Sequence, residues 1–273
     1  PQAFVPERLP LVIHRARAMF DLDADPHDAA PVAYGVVDED GGPVARSFVT
    51  DVLGGFDYAI ANKDRYGLRV ITNSWGDTSD SCTPVNPEDP VTRATKNAYN
   101  AGLVVVFSAG NSGPNQCTIS GNYKKAPWVI SVAATNKQKG LANFSSRGTP
   151  GGGGTITIDG ETWNWDDRPT VAAPGVDIVS TRTVSPVGLT GTKDANLIEP
   201  QYLPYYTALS GTSMAAPHVA GIAAMMLDLN PALPPLRVKE ILQQTASPLP
   251  YQPFEVGNGF VDAYAAVSQS PAG

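Results

Sequence analysis

Residues 103–109 read Leu-Val-Val-Val-Phe-Ser-Ala, an apolar, β-branched run with no alternation of polar residues. A strand with one face in water alternates apolar with polar side chains. A continuous apolar run needs cover on both faces. That need selects a sheet held between layers of helices. Residues 69–73 and 128–133 are further short apolar runs of the same kind. Between them lie segments with helical spacing. Residues 47–63 carry Val49, Val52, Leu53, Phe56 and Ile60 on one stripe. Residues 90–100 follow Asp89, placed as an N-cap, with Pro90 at the first helical position. Strands alternating with helices predict βαβ units, so the expected fold class is α/β, a mainly parallel sheet flanked by helices in three layers. Residues 32–37 are another strand candidate, and the polar, Gly-ending cluster at 38–42 is the turn that closes it.

The composition suits such a domain. The chain has 273 residues, 42% hydrophobic and 16% charged, enough for one large core. The net charge of -7, without a long basic run, excludes a nucleic-acid or anionic-membrane surface. No stretch approaches the ~18 continuous apolar residues of a membrane span. The chain opens at Pro1 without a basic-then-apolar leader, so a processed or partial chain is expected. Residues 1–31 are punctuated by Pro and Asp, with residues 11–20 their one helix-like stretch. The expected organisation is therefore a poorly matching segment, 1–31, and a regular domain, 32–273.

Two insertions interrupt the alternation. Residues 151–154 are all Gly and lead into 155–158, Asp159-Gly160 and 161–165, which predicts a two-residue hairpin. A phosphate loop is excluded, because a strand follows and no Lys-Ser or Lys-Thr does. Residues 183–203 are expected as a surface loop. Cys82 and Cys117 each lie in a polar loop after a strand. A bridge between them would fit an exported protein; two unpaired thiols are the alternative.

The chemistry concentrates at Leu209-Ser210-Gly211-Thr212-Ser213-Met214-Ala215-Ala216-Pro217-His218. A small-residue helix is predicted over 212–229. Ser213 falls in its first turn, where free N–H groups and the positive dipole end point outward. A serine there can attack a carbonyl while its own N–H holds the oxyanion. Alternatively, Ser210 or Thr212 simply caps the helix. Pro217 is tolerated near a helix start. Upstream, the apolar strand ends in Ser108-Ala109-Gly110-Asn111. Asn111 then stands at the carboxyl edge of the sheet, where ligands of α/β folds bind. Its amide can donate into the cleft, or Asn111 and Gly113 can serve only as turn formers.

The segment 211–217 closely resembles the nucleophile motif of the subtilase family, Gly-Thr-Ser-Met-Ala-x-Pro. Ala109-Gly110-Asn111 resembles that family's oxyanion strand end. Asn73-Ser74-Trp75-Gly76 resembles its substrate-pairing strand, and Ala173-Pro174-Gly175-Val176-Asp177-Ile178 a strand pair of structural role. The resemblance runs from about residue 32 to 267. It implies a subtilisin-like fold and an exported serine endopeptidase acting on peptide or protein substrates. Ser213 would be the nucleophile and Asn111 the side-chain oxyanion donor. In a subtilisin, loss of that donor costs about 10²–10³ in turnover. Ser74, Trp75 and Gly76 would form one wall of the S1 groove; Ser108, Ala109 and Gly110 would form the other. Trp75 could instead be a packing aromatic against the 84–90 loop. The family needs no cofactor for chemistry but often binds structural calcium; residues 77–89 are Asp-rich, without an assignable ligand set.

The family also needs an Asp and a His ahead of the Ser, the His as base and the Asp as its orienter. Neither Asp-Ser/Thr-Gly nor His-Gly-Thr-His occurs in this chain. Its three histidines are His14, His27 and His218. His218 lies about 140° around the helix from Ser213 and is expected to be a packing residue. His14 or His27, oriented by Asp21, Asp23 or Asp25, is the remaining base candidate. The expectation is an incomplete copy of a subtilase, a poor catalyst as it stands. The alternative is a non-catalytic binding or structural module.

Overall fold

A computed structural model describes residues 34–37, 43–46, 49–76, 82–182, 191 and 193–270. They fall into two units, Pro1–Arg69 and Val70–Gly273. In the first unit, β1 (Tyr34–Val37) pairs antiparallel with β2 (Pro43–Arg46), with Tyr34 opposite Arg46. The strand expected at 32–37 is thus half of a hairpin, not a member of a parallel series; its turn at 38–42 and the stretch 1–31 lie outside the described residues. Helix α1 (Val49–Tyr66) follows, with Lys63 and Arg65 in its last turn complementing the negative dipole end. Gly67, at φ 57°, takes the left-handed conformation that stops it.

The second unit runs β3 (Val70–Asn73), α2 (Pro90–Asn100), β4 (Val104–Ser108), β5 (Val129–Thr135), the hairpin β6 (Gly153–Ile158) and β7 (Glu161–Asp166), then β8 (Val171–Pro174), β9 (Ile178–Thr181), α3 (Asp194–Leu197), β10 (Tyr206–Leu209), α4 (Thr212–Leu229) and α5 (Pro235–Thr245). Its central sheet is parallel throughout, in the order β3-β4-β5-β8. All five residues of β4 are buried, as its unalternating sequence requires. Val104 and Val106 join Ile130, Val132, Val171 and Ala173 on one face, against Ala215, Ala216, Val219, Ala223 and Met226 of α4 and Val238, Ile241 and Leu242 of α5. The Ala-rich face of α4 lets it sit close to the sheet. On the opposite face Phe107 meets Trp75 and Tyr123, and the Trp128 indole donates to Thr95 of α2 at 2.9 Å. Helix α2 starts as its sequence dictates: the Asp89 carboxylate accepts from the Thr92 N–H at 2.7 Å.

The first insertion is a hairpin about Asp159 and Gly160, both at positive φ as its tight turn demands. It is anchored by Lys96, whose ammonium bonds Glu161 at 2.8 Å and lies within 5.1–5.5 Å of the Tyr99, Trp128 and Trp163 ring centres. That bond holds the Glu161 carboxyl below its ordinary range. The second insertion is more than a loop, although residues 183–190 and 192 lie outside the described set. Asp194, in α3, accepts from the Ala208 N–H at 2.7 Å and the Thr207 hydroxyl at 2.9 Å, bonds that depress its pKa and fasten the segment to β10. Strands β9 and β10 pair antiparallel, so the stretch 173–180 divides between two sheets. Cys82 and Cys117 are bridged, with Cα atoms 5.0 Å apart.

Candidate active site

Three strand and helix ends converge. Strand β3 ends at Asn73, which is buried and donates from its amide to the Val106 carbonyl at 3.1 Å. That bond fixes the point where the chain leaves the sheet. Ser74 and Gly76 follow on the surface, with Trp75 half-buried between them. The Trp75 ring lies 5.0 Å from Phe107 and 5.6 Å from Tyr123. Its ring packs edge-on against Phe107 and tilted against Tyr123. A Cβ on Gly76 would overlap the Lys124 ammonium, so a larger residue there would displace the end of that side chain.

Strand β4 delivers the second group. Ser108 and Ala109 are buried, and Ala109 bonds the Val132 carbonyl at 3.0 Å. Of the stretch 108–110 only Gly110 approaches the surface; its φ of 119° swings the chain out of the sheet. Its N–H donates to the Thr212 hydroxyl at 3.1 Å, and its carbonyl accepts from Ser146 at 2.9 Å. Asn111 is exposed, but its carbonyl oxygen Oδ1 accepts twice from Thr212, from the N–H and from the hydroxyl, each at 2.9 Å. With Oδ1 committed, the amide Nδ2 is turned the other way. Thr212, fully buried, is the clamp between strand and helix.

Helix α4 brings the third group. Of its first N–H groups, that of Thr212 is taken by Asn111, and that of Met214 by the Gly211 carbonyl at 3.0 Å. The N–H of Ser213 has no partner among the described residues. A Cβ placed on Gly211 would stand 3.4 Å from Asn111 Nδ2 and 3.6 Å from the Ser213 N. Asn111 Nδ2, the Ser213 N and, at 3.6 Å, Met214 Sδ thus all lie close to one point beside Gly211. An oxygen held between the two nitrogens could take a hydrogen bond from each.

The Ser213 hydroxyl lies 3.4 Å from the Ser74 carbonyl, and the Ser74 hydroxyl donates to the Ser213 carbonyl at 2.9 Å. The second bond has a cause the sequence reading missed. In an unbroken helix the Ser213 carbonyl would accept from residue 217, but Pro217 has no N–H. Ser74 supplies the missing donor across 139 positions of sequence. The signal was present: a proline four residues after a serine orphans that serine's carbonyl.

His218 is not a packing residue. Its side chain is exposed and its Nδ1 donates back to the Met214 carbonyl, one turn earlier, at 2.8 Å. At five residues past Ser213 the helix turns it away from the core-facing row of Ala215, Ala216 and Val219, which are buried. Among the described residues no imidazole or carboxylate bonds the Ser213 hydroxyl. His14, His27, Asp21, Asp23 and Asp25 lie outside them. So do Asp77 and Asp80 of the Asp-rich loop. Among the described residues no three His, Cys, Asp or Glu side chains gather as a metal site. No described helix is long and apolar enough to cross a membrane.

With that geometry in hand, comparison with known proteins is direct. The subtilase family profile matches residues 46–259. Serine protease AprX of Bacillus subtilis (strain 168) is 38% identical over 162 residues, 57% of this chain and 33% of that protein. Subtilisin DY of Bacillus licheniformis is 34% identical over 217 residues, 79% of this chain and 61% of that one. The chain thus spans between a third and three-fifths of the length of these curated relatives. Among solved structures, S41 psychrophilic protease superposes with a TM-score of 0.58 at 26% identity, covering 83% of this chain and 66% of its own. Sphericase gives 0.57 at 24% identity, with coverage of 83% and 66%.

Proposed function

The chain belongs to the subtilase family, and from that membership we propose that it is a serine endopeptidase in which the Ser213 hydroxyl attacks the carbonyl of a peptide bond. The new C–O bond converts that carbonyl into a tetrahedral oxyanion, which takes hydrogen bonds from Asn111 Nδ2 and the Ser213 N–H. Collapse expels the amine and leaves an acyl group on Ser213; water then releases it. The substrate backbone adds as a strand beside residues 74–76, with residues 108–110 opposite. In this reading residues 32–273 serve as the C-terminal part of a catalytic domain. The single observation that carries the proposal is the pair of donor nitrogens, Asn111 Nδ2 and Ser213 N, 3.4 and 3.6 Å from one point beside Gly211, at the start of the helix that bears Ser213. The Cys82–Cys117 bridge supports work outside a reducing compartment.

The reaction needs a base to take the Ser213 proton, and none stands at Ser213 among the described residues. Without a base, oxyanion stabilisation and binding sustain only about 10³–10⁴ over water. That circumstance favours a second reading, a subtilase-like binding module. A fluorophosphonate probe separates the two. Covalent labelling at Ser213 in the folded, full-length protein supports the enzyme. A folded protein that stays unlabelled sinks it.

A further inference from the structure

Beneath the first insertion lies a cavity of about 320 Å³ that does not include Ser213 or Asn111. The hairpin β6–β7 forms one wall with Trp163 and Trp165; Pro127, Val129, Pro169 and Leu236 add further apolar surface. Into it projects the ammonium of Lys239, on α5. Two of its three N–H groups donate to the carbonyls of Pro127 and Val129, each at 2.7 Å. No carboxylate lies within ion-pairing distance of it among the described residues. The two acids in the wall are engaged elsewhere: Asp166 with Arg168 at 2.9 Å and Glu240 with Arg237 at 3.0 Å. Of the other cations in the wall, Arg168 pairs with Asp166 and Lys125 lies 3.7 Å from Asp167.

Lys239 is partly buried in a half-open cleft, and even a partly desolvated ammonium without a counter-ion is costly. Desolvation here pulls the Lys239 pKa down to about 8, which still leaves it mostly cationic at neutral pH. One N–H has no protein acceptor among the described residues, in a cleft whose lining mixes Trp163, Trp165 and Leu236 with Asn164, Thr170 and Gln243. We infer that this cavity binds a carboxylate carrying an apolar body, the acid group on Lys239 and the body between Trp163, Trp165 and Leu236. The site is independent of proteolysis at Ser213, since one of its walls is an insertion and none of its lining residues enters the proposed reaction. A free aryl acid and the C-terminus of a peptide share this chemistry.

The test is titration of the ¹⁵N-labelled full chain with phenylacetate, followed by amide shifts. Expected are saturable shifts confined to residues 124–129, 163–170 and 236–243. A hydrogen bond to a charged group makes the neutral analogue phenylacetamide bind about tenfold or more weakly, and Lys239→Met costs phenylacetate a similar factor. Should Lys239→Met fail to fold, Leu236→Trp narrows the cavity while leaving the Lys239 bonds in place, and it too weakens phenylacetate. N-acetylphenylalanine distinguishes the sources: tighter binding than phenylacetate supports a peptide terminus, weaker binding supports a free acid. Equal affinity for phenylacetate and phenylacetamide overturns the inference. So do shifts scattered over the surface, or no shifts at all.

Discussion

At the scale of one residue, Gly211 separates folding from chemistry. Its backbone is extended, at φ 166° and ψ 159°, a conformation any amino acid adopts. A Cβ there would meet its nearest neighbours at 3.4 and 3.6 Å, ordinary contact distances. Gly211→Ala should therefore change unfolding free energy by no more than about 0.5 kcal/mol. Yet the added methyl would stand 3.4 and 3.6 Å from Asn111 Nδ2 and Ser213 N, and would crowd an oxyanion held by both. We expect fluorophosphonate labelling of Ser213 to slow by about 10²–10³, as when an oxyanion donor is lost. Unchanged labelling with an unchanged urea midpoint would show that the oxyanion does not sit there.

At the scale of elements, the residue after strand β3 is tied to helix α4 by the Ser74 hydroxyl bond to the Ser213 carbonyl, and the worth of that bond is measurable. Ser74→Ala leaves the Ser213 carbonyl without its donor and should cost about 1 kcal/mol. In a Pro217→Ala background the helix supplies its own N–H to that carbonyl, and the cost of Ser74→Ala should fall toward zero. A double-mutant cycle in urea gives the coupling directly; strictly additive losses would mean that Ser74 acts in some other way. The same pair marks how far sequence reading reaches. The run 103–109, the Asp89 cap, the 155–165 hairpin and the span of α4 are decided by neighbours in sequence, and all are legible there. The turning of the Asn111 amide by Thr212, the fastening of β10 by Asp194 and the placing of Trp75 on Phe107 are not. Each joins residues whose proximity only the folded sheet creates. Ser213 and Asn111 stood out because strand end and helix start carry dense local signals. Sequence alone shows Pro217 only as tolerated near a helix start, because the partner of the carbonyl it frees is 139 positions away.

At the scale of the whole molecule, Lys239 makes stability depend on pH. Its folded pKa, about 8, lies below the ordinary lysine value of 10.5. Between those limits the unfolded chain holds a proton that the folded protein has released, so stability rises with pH across the window. The destabilisation is fully present below pH 8 and is relieved toward 10.5; at about 1.4 kcal/mol per unit it amounts to at most about 3 kcal/mol. From pH 7 to pH 10 the wild type should gain about 2 kcal/mol relative to Lys239→Met, read from urea unfolding of both proteins. A parallel pair of pH profiles would rule this out.

The bridge from Cys82 to Cys117 ties the segment that leaves β3 to the segment that leaves β4, the two banks between which a substrate would lie. Cross-linking a loop of this length restrains the unfolded chain by about 3–4 kcal/mol. Thiols in the surroundings would cut that tether and let the banks drift apart, so the groove carries its own environmental interlock. We expect it to keep its shape where electrons are scarce and to slacken inside a reducing cell.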